Sequence, residues 1–130
     1  MESKDMIYLD THVVLWLYAL RGEGLSRRAC QLIEESITVL ISPMVLLEMV
    51  YLYEIDRLKV ESDQIYRYLQ QKIHLEMCEK PFFDVIQLAS KQNWTRDPFD
   101  RIITAQAAID HKPLVTKDIT IRQHYAKAIW

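Results

Sequence analysis

Met6-Ile7-Tyr8-Leu9-Asp10-Thr11-His12-Val13-Val14-Leu15-Trp16-Leu17-Tyr18-Ala19-Leu20 is the stretch on which the fold turns. Residues 6–10 read as a short buried strand, and the run from Thr11 to Leu20 reads as a helix. The same unit recurs along the chain. Residues 37–41, Ile-Thr-Val-Leu-Ile, are β-branched and apolar, as expected of a strand buried on both faces. Ser42 then supplies an N-cap and Pro43 a first helical residue, predicting a helix through about Glu54. Working outward, Arg21-Gly22-Glu23-Gly24 breaks the first helix, and Ser26 caps a second one through about Ser36. Residues 57–60 connect to a helix capped by Ser62 or Asp63 and running through Ile73, and residues 74–78 form a weak strand. Pro81 opens a helix to about Asn93, and Asp97-Pro98 starts the next, which ends near Asp110. A short strand over residues 114–116, a helical turn over 119–124 and a tail ending in Ile129-Trp130 complete the chain. Strand and helix in alternation imply an α/β fold, with a parallel sheet and helices on its faces.

The chain's 130 residues suit one domain, residues 1–130, with a single sizeable core. Half of the residues are hydrophobic and 26% are charged, as in an ordinary soluble globular protein. The formal net charge of -2 gives no overall attraction to nucleic acid, so any such binding must come from a local basic rim or from bound metal. With only two glycines, Gly22 and Gly24, there is no Gly-rich phosphate loop. Cys30 and Cys78 have no metal-ligand spacing and read as two buried thiols in a reducing cytosol. The charged start, Met-Glu-Ser-Lys-Asp, does not resemble a signal peptide, and no apolar run approaches the roughly 20 residues that span a bilayer. The expected location is the cytoplasm, with no membrane partner.

Four acids at the ends of apolar segments carry the chemistry. Asp10 closes the first strand, Glu48 sits in Met-Val-Leu-Leu-Glu-Met-Val-Tyr, Asp100 ends Asp-Pro-Phe-Asp, and Asp118 follows Pro-Leu-Val-Thr-Lys. Ligands of open α/β sheets bind beyond the carboxyl ends of the strands, and the predicted topology brings all four acids toward that edge. Such a cluster of hard oxygen ligands suits Mg²⁺ or Mn²⁺. Each acid also has a plainer reading. Asp10 and Asp118 can cap the helices that follow them, Asp97 before Pro98 is a standard N-cap, and Asp100 can pair with Asp97 in a capping box. Glu48 is the hardest to explain away. It is the only charge from Pro43 to Tyr53, on a helix apolar nearly all round and therefore expected to be buried on most sides.

Other chemistries lack their motifs. There is no dinucleotide or P-loop glycine pattern, no Gly-x-Ser-x-Gly elbow and no His-Glu-x-x-His. His12, His74, His111 and His124 lack zinc-ligand spacing, and His12, beside the acids, reads as a packing or rim residue.

Leu-Asp-Thr-His at 9–12, Ser-Pro-x-x-x-x-Glu at 42–48, Arg-Asp-Pro-Phe-Asp-Arg-Ile-Ile-x-Ala-Gln-Ala at 96–107 and Leu-Val-Thr-Lys-Asp at 114–118 together resemble the PIN-domain family, in particular the VapC-like ribonuclease toxins of toxin–antitoxin pairs. The resemblance covers essentially the whole chain, with the motifs in order. It implies a three-layer α/β/α sandwich with a mainly parallel central sheet, a Mg²⁺- or Mn²⁺-dependent endoribonuclease, a homodimer, and a small antitoxin that blocks the cleft. Carried over by position, the metal-binding and catalytic acids are Asp10, Glu48, Asp100 and Asp118. Asp97 matches an additional acid, and Thr11 and Thr116 match hydroxyl residues that line the cleft. The aromatic segment after Glu48 (Tyr51, Tyr53) departs from the pattern, and residues 57–80 match no motif.

The expected reaction is metal-assisted hydrolysis of RNA phosphodiester bonds, leaving 5′-phosphate and 3′-hydroxyl ends. Arg96, Arg101 and Lys117 flank the acids as candidate phosphate contacts. Trp94 is a candidate base-stacking residue, with helix-end packing as its alternative. Tyr51, Tyr53, Tyr66 and Tyr68 read as core or interface. The rival functions are a non-catalytic RNA- or protein-binding module on the same fold and a DNA-directed structure-specific nuclease.

Overall fold

Strand β1 (Met6–Leu9) is the axis of a five-stranded parallel sheet of order β3-β2-β1-β4-β5, with β2 at Thr38–Ile41, β3 at Leu75–Met77, β4 at Leu114–Val115 and β5 at Ala128–Ile129. The computed structural model describes residues 6–20 and 23–130. The charged start over residues 1–5, and Arg21 and Gly22 of the expected helix break, lie outside the described residues. In β1 the consecutive residues Ile7, Tyr8 and Leu9 are all buried. Successive side chains of a strand point to opposite faces, so both faces of the sheet are covered, the condition for a three-layer α/β/α sandwich.

Helices α1 (Thr11–Leu20), α2 (Arg27–Glu35), α3 (Pro43–Glu54), α4 (Ser62–Ile73), α5 (Phe82–Ala89), α6 (Pro98–Ala108) and α7 (Ile119–His124) fall between the strands, in pairs as far as β4 and singly before β5. Their starts follow local chemistry. Ser26 accepts from the amide of Ala29 to cap α2, and Ser42 accepts from Met44 to cap α3, with Pro43 in the first turn. The chain builds outward from β1 through β2 to β3, then crosses back to the other side of β1 for β4 and β5. The strand order therefore reverses between β1 and β4. In open parallel sheets that reversal opens a crevice at the carboxyl ends, where ligands bind.

The structure departs from the sequence reading in several places. The N-cap of α4 is Glu61, not Ser62 or Asp63, and its side chain makes no capping bond. Helix α5 stops at Ala89 instead of reaching Asn93, because the Arg101 guanidinium holds the chain beyond it in a turn. The expected tail contains β5, tied to β4 by Leu114 N–H donating to Lys127 O and Thr116 N–H donating to Ile129 O, each at 3.0 Å. Helix α3 is not buried on most sides. Only Val45 and Met49 are fully buried, while Leu47, Val50, Tyr51 and Tyr53 are exposed. No disulfide joins Cys30 and Cys78. Cys78 is buried, with its thiol 3.1 Å from the Tyr8 hydroxyl, but Cys30 is only half-buried.

Candidate active site

At the reversal between β1 and β4 lies a cleft of about 320 Å³, lined by Asp10, His12, Trp16, Glu48, Asp97, Asp100, Lys117 and Asp118. Each acid arrives by a different route. Asp10 is the residue after β1, and its amide donates to Val115 O at 3.0 Å, continuing the pairing of β1 with β4. Glu48 comes from α3, Asp97 and Asp100 from the start of α6, and Asp118 from the loop between β4 and α7.

Two threonines set the inner carboxylates. Thr116 is fully buried, and its hydroxyl donates to Asp10 Oδ2 at 2.6 Å while accepting from the Asp118 amide at 3.1 Å. The Thr11 amide donates to Asp10 Oδ1 at 2.7 Å, and the Thr11 hydroxyl donates to Glu48 Oε1 at 2.5 Å. Both oxygens of Asp10 thus have a donor, as a buried carboxylate requires. Asp97 accepts from the amides of Phe99 and Asp100 as the N-cap of α6, and Asp118 accepts from Ile121 as the N-cap of α7. The capping-box alternative for Asp100 does not occur, because the Asp97 amide donates to Thr95 instead. Among the described residues, Asp100 is the acid of the cleft whose carboxylate receives no hydrogen bond.

The electrostatics follow from this crowding. Burial raises Asp100 most, and repulsion from Asp97, Asp10, Asp118 and Glu48 adds to it, pushing its pKa up to about 7. Burial likewise raises Asp10 against the opposing donors Thr116 and Thr11, and raises Glu48 against the Thr11 hydroxyl. These acids remain separate carboxylates: among the described residues, no three His, Cys, Asp or Glu side chains already converge as a metal-binding cluster. The donor set nevertheless suits a hard dication, with carboxylate and hydroxyl oxygens around an excess of negative charge.

The proposed phosphate contacts divide. Lys117 lines the cleft. Arg101 instead donates to the carbonyls of Ala89, Ser90 and Thr95, and Arg96 donates to Asn93 O. Trp94 lies outside the cleft lining, stacked on His124 with ring centroids 5.1 Å apart, and its indole N–H donates to Gln92. The sequence reading passed over Trp16, the tryptophan that does line the cleft. The available signal was its position four residues after His12, on the same face of α1.

A parallel α/β domain with a carboxylate-lined cleft where its strand order reverses defines an acid-site α/β protein. The family model for the PIN domain matches residues 7–127, and the chain belongs to the PIN domain family. Among curated proteins, it is 29% identical over 120 residues to Ribonuclease VapC22 of Mycobacterium tuberculosis, covering 91% of each chain. Among solved structures, it resembles VapBC2 from Rickettsia felis bound to a DNA fragment of its promoter, with a TM-score of 0.64 at 17% identity over 95% of this chain and 96% of the other. A toxin–antitoxin complex from Klebsiella pneumoniae aligns with a TM-score of 0.61 at 16% identity, with the same coverage. At these identities the two structures attest the fold alone.

Proposed function

We propose that the protein is a divalent-metal-dependent endoribonuclease, the toxin of a toxin–antitoxin pair. The observation that carries this reading is the meeting of Asp10, Glu48, Asp97, Asp100 and Asp118 in one cleft, where burial first, and repulsion from its acidic neighbours second, push the Asp100 pKa up to about 7. Asp10, Glu48, Asp100 and Asp118 are the residues that would hold Mg²⁺ or Mn²⁺, and Asp97 borders them while capping α6. When bound, such an ion would lower the pKa of water at the site and offset charge growing on the phosphate and leaving oxygen.

The chain's own residues do the rest. Thr116 and the Thr11 amide fix both oxygens of Asp10, so that carboxylate enters the reaction already oriented. The Thr11 hydroxyl fixes one oxygen of Glu48 and leaves the other to hold a ligand or to align the attacking water. Asp118 uses one oxygen to cap α7, with the second available to the cleft. Lys117 places a cation at the rim, where a phosphodiester enters. In-line attack by water on phosphorus, with the P–O3′ bond breaking and the 3′-oxygen leaving as a hydroxyl, gives 5′-phosphate ends and makes no use of the 2′-hydroxyl as nucleophile, so preference for RNA comes from contacts along the strand.

The name of the relative from Mycobacterium tuberculosis supports the ribonuclease activity, and the toxin–antitoxin complexes among the structural neighbours support a small antitoxin as partner. The exposed apolar face of α3, with Leu47, Val50, Tyr51 and Tyr53, supports a protein contact of that kind or a homodimer. Among the described residues no helix is long and apolar enough to cross a membrane.

The test is cleavage of a mixed RNA pool by purified protein freed of antitoxin, with Mn²⁺ and with EDTA, beside Asp10→Asn. Cleavage that needs both the metal and Asp10 and leaves 5′-phosphates is the expected result. Cleavage that survives EDTA and the substitution equally would refute it.

A further inference from the structure

An aromatic wall in an otherwise acidic cleft calls for its own explanation. Trp16 is only half-buried and lines the cleft beside His12 and Lys117. Its surroundings hold it in place. The ring of Trp130 meets it edge-on, with centroids 5.7 Å apart at an interplanar angle of 63°. Trp130 is brought there by β5, whose Ile129 pairs with Val115 of β4. On another side, a Cβ added to Gly24 would stand 3.6 Å from Trp16 Cγ, so the Gly24 backbone packs at the root of the indole. The Lys117 ammonium lies over the rings of both Trp16 and Trp130, 5.8 Å from each centroid and within cation–π range, and the His12 ring is tilted at 48° to Trp16 with centroids 6.0 Å apart. Other aromatic pairs do not share this position. Trp94, stacked on the parallel ring of His124, and Tyr18, packed on Tyr68, both lie outside the cleft lining.

We propose that Trp16, braced by Trp130 and flanked by Lys117, is a stacking platform for one unpaired base of the RNA strand that enters the acidic cleft. This rests on the nuclease reading and names the contact that positions its substrate. A strand drawn into a carboxylate cleft gains little from the protein's own charge, which is negative overall. Stacking on an indole supplies attraction that does not depend on charge, and a neighbouring ammonium can meet the phosphate of the same nucleotide. Lining the same cleft as Asp10 and Asp118, the platform fixes which phosphate of a flexible strand faces the acids. Trp16 is on this account a positioning residue.

The experiment measures binding of labelled single-stranded oligoribonucleotides in Ca²⁺, a hard cation that neutralises the acids. The series carries an abasic residue at each position in turn, against the intact protein, Trp16→Leu and Trp16→Phe. One abasic position should weaken binding to the intact protein on the order of 10-fold, and Trp16→Leu should weaken binding of the unmodified strand by a similar factor. Trp16→Leu should then be insensitive to that abasic position, while Trp16→Phe retains most of the affinity and the sensitivity. No abasic penalty in the intact protein, no binding at all, or a penalty undiminished in Trp16→Leu would overturn the platform. If Trp16→Leu does not fold, the abasic series against the intact protein and Trp16→Phe decides alone. Cleavage of the same strands in Mn²⁺ keeps the two readings apart. Cleavage without an abasic penalty removes the platform and leaves the nuclease, and an abasic penalty without cleavage does the reverse.

Discussion

Thr116 is a buried hydroxyl that serves two acids at once, donating to Asp10 and accepting from the amide of Asp118. Thr116→Val keeps the shape and removes both bonds. The expected result is a loss of about 10–100-fold in Mn²⁺ affinity or cleavage rate, the usual effect of removing a partner behind a metal ligand, with Thr116→Ser close to the intact protein. Equal activity in the valine and serine variants would show that Asp10 is positioned without Thr116. Asp100 gives a pH prediction for the metal-free protein. Its carboxyl titrates at about 7 in the folded chain, against an ordinary value of 3.8. Between those values the folded state holds a proton that the unfolded chain has lost, so stability falls as pH rises through the window and levels off above it. Asp10 and Glu48 are shifted in the same direction and add to the slope. Thermal melts in EDTA across that range should show the fall, and Asp100→Asn should reduce it; a slope unchanged by the substitution contradicts the assignment. The sequence exposed these acids because carboxylates among apolar residues demand partners. It did not distinguish Trp16 from Trp94, since the difference lies in what each ring meets after folding. Nor did it show Arg101 as a loop clamp, because the three carbonyls it binds converge only in the tertiary structure.

Helix α6 carries both a cap and a candidate ligand within its first turn, and the two roles separate by mutation. Asp97→Ala removes acceptors for the amides of Phe99 and Asp100, so a loss of about 1 kcal/mol is expected. In a chain of this size that amounts to a melting point lower by about 4 °C. Asp100→Asn should cost no stability in EDTA at neutral pH or above, since it removes a buried, repelled charge, but should remove most of the melting-point rise that Mn²⁺ gives the intact protein. If Asp97→Ala abolishes that rise as completely as Asp100→Asn, its role is ligation and not capping alone. Elements with their own punctuation were legible in advance: Ser26, Ser42 and Asp97 each start a helix where the sequence placed it. The misread elements depend on distant residues. Helix α5 ends where Arg101 of α6 holds the chain, and the two residues of β5 are a strand only because β4 offers an open edge.

Across the whole molecule, the strand order divides the acids between segments far apart in the chain. Asp10 and Thr116 are 106 residues apart and share a buried hydrogen bond. The site therefore exists only when β1 and β4 lie side by side, and metal binding should favour the completed fold by mass action. Contacts that depend on such distant pairing tend to form late in folding, where added stabilisation slows unfolding and leaves the folding rate almost unchanged. Stopped-flow kinetics with and without Mn²⁺ should show slower unfolding and nearly equal refolding. Faster refolding would place the acid cluster in the folding nucleus instead. The parallel sheet itself was legible from alternating strands and helices, whereas its order was not, since a sequence states which strands exist but not which become neighbours. That same long closure has a bearing on degradation. A single proteolytic cut anywhere between Asp10 and Thr116, once the pieces part, leaves the carboxylate in one fragment and its supporting hydroxyl in the other, so disposal of the chain also disarms it without any protease having to reach the cleft.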